Sequence, residues 1–222
     1  MKIMIINGSP RKNGSTAYLL HEIEKGLMEQ GCEIIFYDLC NQDISFCKGC
    51  CICYKTGNCI INDDAEKISR QLGEVDGLVI GSSTIASNVP GTLKVFIDRG
   101  HFVIEQLLHG KYAVCVSTYE NYGGHETSKI LKSLVTLSGA TLSGTITEKV
   151  PFNSDYSANT KLNNKARKYA VKIYNDILHK KPRTIQSLKQ KLVITIGLKP
   201  FILRKKDAYT GVQKRWADLG LL

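Results

Sequence analysis

Five of the eight cysteines, Cys47, Cys50, Cys51, Cys53 and Cys59, fall within thirteen residues. Cys47, Cys50, Cys53 and Cys59 read Cys-x2-Cys-x2-Cys-x5-Cys. Four thiolates with two-residue gaps and a longer return can surround a cubane, each holding one iron. The bacterial ferredoxin run is similar, but its fourth cysteine comes sooner and precedes a proline, and neither holds here. The same donors suit tetrahedral zinc, although structural zinc sites usually pair two separated cysteine knuckles. Cys50 or Cys51 with Cys53 would also make a thiol-disulfide pair, and a metal-free subunit contact is a further reading. Spacing alone leaves these alternatives open. Cys51 is read as packing, and Cys32, Cys40 and Cys115 as small buried hydrophobes. In a reducing compartment such a cluster points to metal or redox chemistry rather than to a disulfide framework.

A second constellation follows the first apolar run. Asn7-Gly8-Ser9-Pro10-Arg11-Lys12-Asn13-Gly14-Ser15-Thr16 has the parts a phosphate requires. Ser9, Ser15 and Thr16 offer hydroxyls, and Gly8 and Gly14 let backbone amides turn inward. Arg11 and Lys12 bring charge, and a following helix would add its positive N-terminus. The segment lacks the Gly-Lys-Ser/Thr of a P-loop and the Gly-x-Gly-x-x-Gly of a dinucleotide loop. Its hydroxyl-rich form suits a terminal monophosphate that the loop wraps, as in FMN. The plainer reading is a polar loop whose Ser and Thr cap a helix.

These residues need elements to position them. Ile3–Ile6, Ile34–Tyr37, Gly77–Ile80, Ala113–Val116 and the weaker Thr141–Ile146 read as buried strands. Helical faces lie between them: Leu20, Ile23 and Leu27; a segment capped by Asp63 or Asp64; Leu93, Phe96 and Ile97; and Ile130, Leu134 and Leu137. Leu162, Ala166, Tyr169, Ile173 and Ile177 mark a last helix. The alternation predicts an α/β chain with a three-layer, doubly wound, five-stranded parallel sheet. Ligands of such folds bind beyond the carboxyl ends of the strands, where the Ser9–Thr16 loop belongs. Residues 1–181 are read as the sheet domain with a cysteine insertion at 47–59, and 182–222 as a basic amphipathic C-terminal extension.

With 222 residues, 43% of them hydrophobic and 23% charged, the composition is that of a globular chain. No apolar run approaches the ~20 residues of a membrane span, and the N-terminal run is too short for a signal peptide, so a cytoplasmic protein is expected. The net charge of +10 is uneven. Residues 161–215 carry 16 Lys and Arg against Asp176 and Asp207, whereas residues 1–160 are slightly acidic. Nucleic-acid binding therefore does not follow from the overall charge. The basic tail reads either as a solvated face or as a surface for anionic lipid or an acidic redox partner. Its stripe of Ile185, Leu188, Leu192 and Ile196 is expected to be interrupted by Gly197 and Pro200. Asp98 and Arg99 read as a helix-end ion pair, and Trp216 as the anchor of the tail.

Gly8 to Thr16 resembles the FMN-phosphate loop of the NAD(P)H-dependent FMN reductases, a flavodoxin-like group. Gly91-Thr92-Leu93-Lys94-Val95-Phe96-Ile97-Asp98-Arg99 looks like that family's helix after the third strand. Ser117-Thr118-Tyr119-Glu120-Asn121-Tyr122-Gly123-Gly124 resembles its loop bordering the isoalloxazine. The cysteine spacing resembles the iron–sulfur flavoprotein branch. The resemblance implies FMN held by Ser9, Arg11, Lys12, Asn13, Ser15, Thr16, Ser83, Thr84, Ile85, Ala86, Ser87, Asn88, Thr118, Tyr119, Glu120, Asn121, Tyr122, Gly123 and Gly124. It further implies a [4Fe-4S] cluster on Cys47, Cys50, Cys53 and Cys59, and a homodimer or homotetramer. The family's loop after the third strand runs roughly Ser-Pro-Val-Tyr, whereas Ser82-Ser83-Thr84-Ile85 stands here. Ile85 thus occupies the place of an aromatic residue, and Tyr119 or Tyr122 is left to cover the ring. The implied activity is transfer of a hydride from NAD(P)H to FMN and of electrons onward to the cluster, a quinone, a flavin or another small-molecule or protein acceptor. No side chain is required as general acid. The alternatives are an electron carrier serving a ferredoxin-like partner and a non-catalytic fold with a zinc-clamped loop.

Overall fold

Five apolar runs pair as one parallel sheet in the order β2-β1-β3-β4-β5. The strands are β1 (Lys2–Asn7), β2 (Glu33–Asp38), β3 (Gly77–Ser83), β4 (Tyr112–Tyr119) and β5 (Thr141–Lys149). This computed structural model describes residues 1–222 apart from 152, 153, 155, 157 and 158. The helices are α1 (Ser15–Met28), α2 (Ile52–Thr56), α3 (Asp64–Gln71), α4 (Gly91–Arg99), α5 (Gly124–Leu137), α6 (Thr160–Leu178), α7 (Thr184–Leu192), α8 (Lys199–Arg204) and α9 (Thr210–Asp218). The fold is flavodoxin-like, with the reversal of strand order between β1 and β3.

Alternation along the strands feeds two cores. Met4, Ile6, Leu78, Ile80, Ala113 and Cys115 face α3, α4 and α5. Ile3, Ile5, Val79, Val114 and Val116 face α1 and α6. Two expectations shift. β2 is an edge strand and only half-buried, with Phe36 stacked on His21 at 4.5 Å. The buried face of α5 is Leu131, Leu134 and Val135 rather than Ile130 and Leu137, and Leu137 is exposed. Several apolar phases fit that segment, and the sheet selects the one that fills its pleat.

Register decides where the loops emerge. Asn7 stands opposite both Asp38 and Gly81, and Ser83 stands opposite Thr118. The loops after β1, β3 and β4 therefore leave the sheet side by side.

The cysteine segment is tied down by a buried ion pair. Arg99 Nη1 and Nη2 donate to Asp63 Oδ2 and Oδ1 at 2.6 and 2.9 Å, and also to Ser45 O and Ile61 O. Asp63 in turn caps α3 by accepting from Ala65 N, and it accepts from Ser45 N. One guanidinium from α4 thus joins both ends of the loop. The expected Asp98–Arg99 pair does not form. Asp98 instead bonds Lys94 one helical turn away at 2.5 Å, because i,i+4 neighbours share a helix face and adjacent residues do not.

The C-terminal extension folds back onto that loop. Trp216 is fully buried and donates from Nε1 to Ile104 O at 2.8 Å. Thr210 Oγ1 donates to Lys55 O, and the Tyr54 and Tyr209 rings lie 4.8 Å apart. A methyl group on Gly211 would sit 2.3 Å from Gly57 N, so only glycine allows this approach. Helical winding also continues where a break was expected. Val193–Leu198 is a π-helical stretch carrying Gly197 between α7 and α8, and Pro200 falls in the first turn of α8, where a missing N–H removes little.

Asp63→Asn would leave Arg99 buried without its counter-charge and is expected to cost about 3–5 kcal/mol in urea unfolding. Burial alone would raise the Asp63 carboxyl, but the bonds from Arg99, Ser45 and Ala65 outweigh it and hold it below its usual range. The sign follows: the pair stabilises above the ordinary carboxylate range, and that stability is lost as pH falls through the lower folded value. The same substitution should therefore flatten the acid limb of the stability profile, and an unchanged limb would exclude this role.

Candidate functional site

At the switch point the three loops enclose a cleft of about 280 Å³, lined by Pro10, Arg11, Ser15, Ser83, Thr84, Ile85, Thr118 and Tyr119. The first loop is built by its own polar groups. Asn7 Nδ2 donates to Asp38 Oδ1 at 2.7 Å, Ser9 N donates to Asn7 Oδ1, and Arg11 N donates to Ser9 Oγ. A methyl group on Gly8 would lie 2.6–2.9 Å from Leu93, so glycine is what lets the loop cross α4.

α1 then begins without a side-chain cap at Gly14 and with no acidic residue in its first turn. Its leading amides and the positive end of its dipole are thus left for an anion. Arg11 Nε reaches to 3.5 Å from where a Gly14 side chain would start, which puts a cation over that helix end. Ser15 Oγ donates to Thr118 Oγ1 at 3.3 Å, and Thr16 Oγ1 and Thr118 Oγ1 share a bond of 2.7 Å. Thr16 is buried behind Thr118 and, like the exposed Lys12 and Asn13, does not line the cleft.

The loop after β3 is a tight turn. Ile85 N donates to Asn88 O and Asn88 N to Ile85 O, both at 3.0 Å, with Ala86 and Ser87 left-handed at φ 49° and 59°. Two non-glycine residues in that region cost roughly 1–3 kcal/mol each. Thr84 N donates to Thr118 O and Val89 N to Asn88 Oδ1. Of the backbone amides in this loop, those of Thr84, Ile85 and Asn88 are thus committed, and those of Ala86 and Ser87 at the tip remain. Thr84 Oγ1 is buried with no hydrogen-bond partner, a cost a ligand would relieve. Ile85 stands exposed at the cleft.

In the third loop the ring of Tyr119 packs where a Gly124 side chain would otherwise lie, and Gly123, at φ 81°, meets Ser87. Tyr119 lines the cleft, whereas Asn121 and Tyr122 are exposed outside it. The cleft thus combines an open helix N-terminus, a cation, an orphaned hydroxyl and an aromatic wall, which suits a phosphorylated planar ligand. Pro10 lines the cleft and Asn7 organises the turn behind it, roles that sequence did not assign to either residue within the segment. Asn7 organises the turn only because β2 brings Asp38 beside it.

The cysteine loop is more open. Cys47, Cys50 and Cys51 are exposed, and Cys53 and Cys59 are half-buried. Cys51 therefore does not pack as expected: it is left-handed at φ 57° at the start of α2, and its thiol donates to Gly49 O at 3.5 Å. Cys40 is also only half-buried, while Cys32 and Cys115 are buried as expected, and burial raises Cys115 to about 12. Cys53 lies within hydrogen-bonding reach of His101, and Cys59 within reach of Arg99. Burial alone would lower His101, but its bonds to Cys53 and Glu105 bring it to about 10. The donors are thus soft, accessible and partly flanked by cations. Among the described residues, however, no three His, Cys, Asp or Glu side chains are grouped to hold a metal ion. The donor set has the right chemistry for iron or zinc, and its arrangement is not that of a closed site.

Residues 1–149 match the family of NADPH-dependent FMN reductases. An iron-sulfur flavoprotein of Clostridioides difficile is 36% identical over 228 aligned positions that take in all of both chains. One from Methanocaldococcus jannaschii is 35% identical over 133 residues, 58% of this chain and 67% of that one. Among solved structures, a flavone reductase superposes with a TM-score of 0.63 at 17% identity, covering 80% of this chain and 63% of its own. An archaeal flavodoxin does so at 0.55 and 15% identity, covering 81% of this chain and all of its own. At those identities the solved structures establish the fold, and the family rests on the sequence matches: the chain belongs to the NADPH-dependent FMN reductases.

Proposed function

We propose that the cleft binds FMN and that the chain is an oxidoreductase drawing reducing equivalents from NAD(P)H. The observation that carries this reading is the uncapped N-terminus of α1 beneath Arg11, at a cleft also lined by Thr84 with its unpartnered hydroxyl. FMN supplies the redox chemistry when bound, taking up a hydride and releasing electrons singly or in pairs. The chain holds and shields it. The first-turn amides of α1 and the Arg11 guanidinium grip the phosphate, Thr84 Oγ1 donates to a ligand acceptor, and Tyr119 walls one side. The exposed Ile85 offers an aliphatic surface where the family has an aromatic ring, so the reactive face is left open to a second planar reactant.

Cys47, Cys50, Cys53 and Cys59 are proposed to hold an iron–sulfur cluster. Their spacing, their exposure, the cations beside Cys53 and Cys59, and the similarity to the iron-sulfur flavoproteins of C. difficile and M. jannaschii support it.

Anaerobic stopped-flow mixing with NADH and with NADPH tests the activity. Bleaching of the flavin band by at least one nicotinamide is expected, whereas bleaching by neither would leave a carrier of single electrons.

Thr84→Val is expected to leave the apo protein as stable or slightly more so, because it deletes an unsatisfied buried hydroxyl. It should weaken FMN about tenfold in calorimetry. Unchanged affinity would remove Thr84 from the site.

For the cysteines, the anaerobically purified protein should show a broad visible shoulder beside the flavin peaks and bind iron, and Cys53→Ser should abolish both. Stoichiometric zinc in a protein without that shoulder would instead establish a structural clamp.

A further inference from the structure

Helix α7 is attached to the domain by its polar side, whereas the π-helical stretch after it packs Ile194 and Leu198 against the cluster of Ile202, Val212 and Trp216. Gln186 Nε2 donates to Ala140 O at 2.6 Å, and Gln186 Oε1 accepts from Leu142 N. Gln190 Nε2 donates to Thr136 O and Ala140 O at 2.7 and 2.8 Å. A separate aliphatic stripe running along both elements faces outward. Ile185, Leu188, Leu192 and Ile196, at helical spacing, are 77%, 70%, 59% and 70% exposed. A contiguous aliphatic stripe of this kind on an otherwise charged surface marks a docking face.

Charge selects the occupant. Residues 177–206 hold nine Lys and Arg and no Asp or Glu. Arg183 is bonded to Asp176, but Lys189, Lys191 and Lys199 flank the stripe, and Arg204-Lys205-Lys206 closes the helical run. A second copy docked through this face would set two cationic runs against each other. An anionic surface would neutralise them while accepting the aliphatic side chains. No described helix is long and apolar enough to cross a membrane. Aliphatic residues on one side, lysines along its borders and modest overall hydrophobicity are the features of a helix that lies in the plane of a bilayer interface.

We propose that the segment from Thr184 to Lys206 seats the protein on a membrane surface rich in anionic lipid, with Ile185, Leu188, Leu192 and Ile196 entering the headgroup boundary. The attachment is peripheral and salt-sensitive, because each basic residue contributes only modestly and is screened. It is independent of the cofactor cleft, which opens at the carboxyl ends of the strands.

The test is co-sedimentation of the full chain with vesicles of phosphatidylcholine alone and of phosphatidylcholine mixed with phosphatidylglycerol, at low and high salt. Retention is expected only on the mixed vesicles, and high salt should weaken it. Leu188→Glu with Leu192→Glu should lower it by about tenfold or more, as should Lys189→Ser with Lys191→Ser. Because these side chains are exposed, circular dichroism, melting temperature and gel-filtration elution should match the parent chain. Failure to bind the mixed vesicles at low salt overturns the proposal. So does retention that survives the two glutamates, which would mean charge attraction without insertion. If the glutamates instead split a larger species on gel filtration and no vesicle binding is seen, a second copy covers the face and the lipid assignment is wrong.

Discussion

Parallel pairing holds Asn7 level with Gly81 and Ser83 level with Thr118, and every feature of the cleft depends on that register. A slip of one residue would turn each strand's apolar set to the opposite face and move Thr118 away from Ser15 and Thr16. With the register kept, three loops far apart in sequence share one rim. The hydroxyl contacts among Ser15, Thr16 and Thr118 bridge about a hundred residues of chain and brace the uncapped end of α1. An anion site made from a helix terminus is already oriented before ligand arrives, so little reorganisation opposes binding.

The cysteine loop depends on a different constraint. Between β2 and α3 the chain forms a 3-10 turn at Leu39–Asn41 and the short helix α2, and the buried Arg99–Asp63 pair ties the loop down. Because Arg99 is the last residue of α4, the helix that begins beside the cleft also anchors the loop. Mechanical continuity between the two regions therefore follows from one element and one ion pair. The carboxy-terminal helix α9 braces the loop from its other side through Tyr54, Tyr209 and Gly211.

Much of this was legible in the residues. Five apolar runs alternating with helical stripes carried the sheet, and the glycines and hydroxyls from Gly8 to Thr16 carried the first loop, because both signals are local. What was not legible is long-range. Arg99 reads as a partner for its neighbour Asp98, and only the fold brings Asp63 to it. Ile85 to Asn88 reads as part of the flavin-holding loop, yet Ala86 and Ser87 take a left-handed turn that commits the amides of Ile85 and Asn88, a conformation their residue types do not announce. Gln186 and Gln190 look like the solvent side of an amphipathic helix. The unpaired backbone groups at Ala140 and Leu142 draw them inward instead and leave the aliphatic stripe outside.

On the function proposed above, the bend after β1 grips the phosphate of a flavin nucleotide. Calorimetric titration of the cofactor-free protein with FMN and with riboflavin tests it most directly, since the two differ only in that group. Two or more charge-assisted hydrogen bonds of about 1.5 kcal/mol each predict that FMN binds at least about a hundredfold more tightly. Equal affinities, or binding of neither, would contradict it.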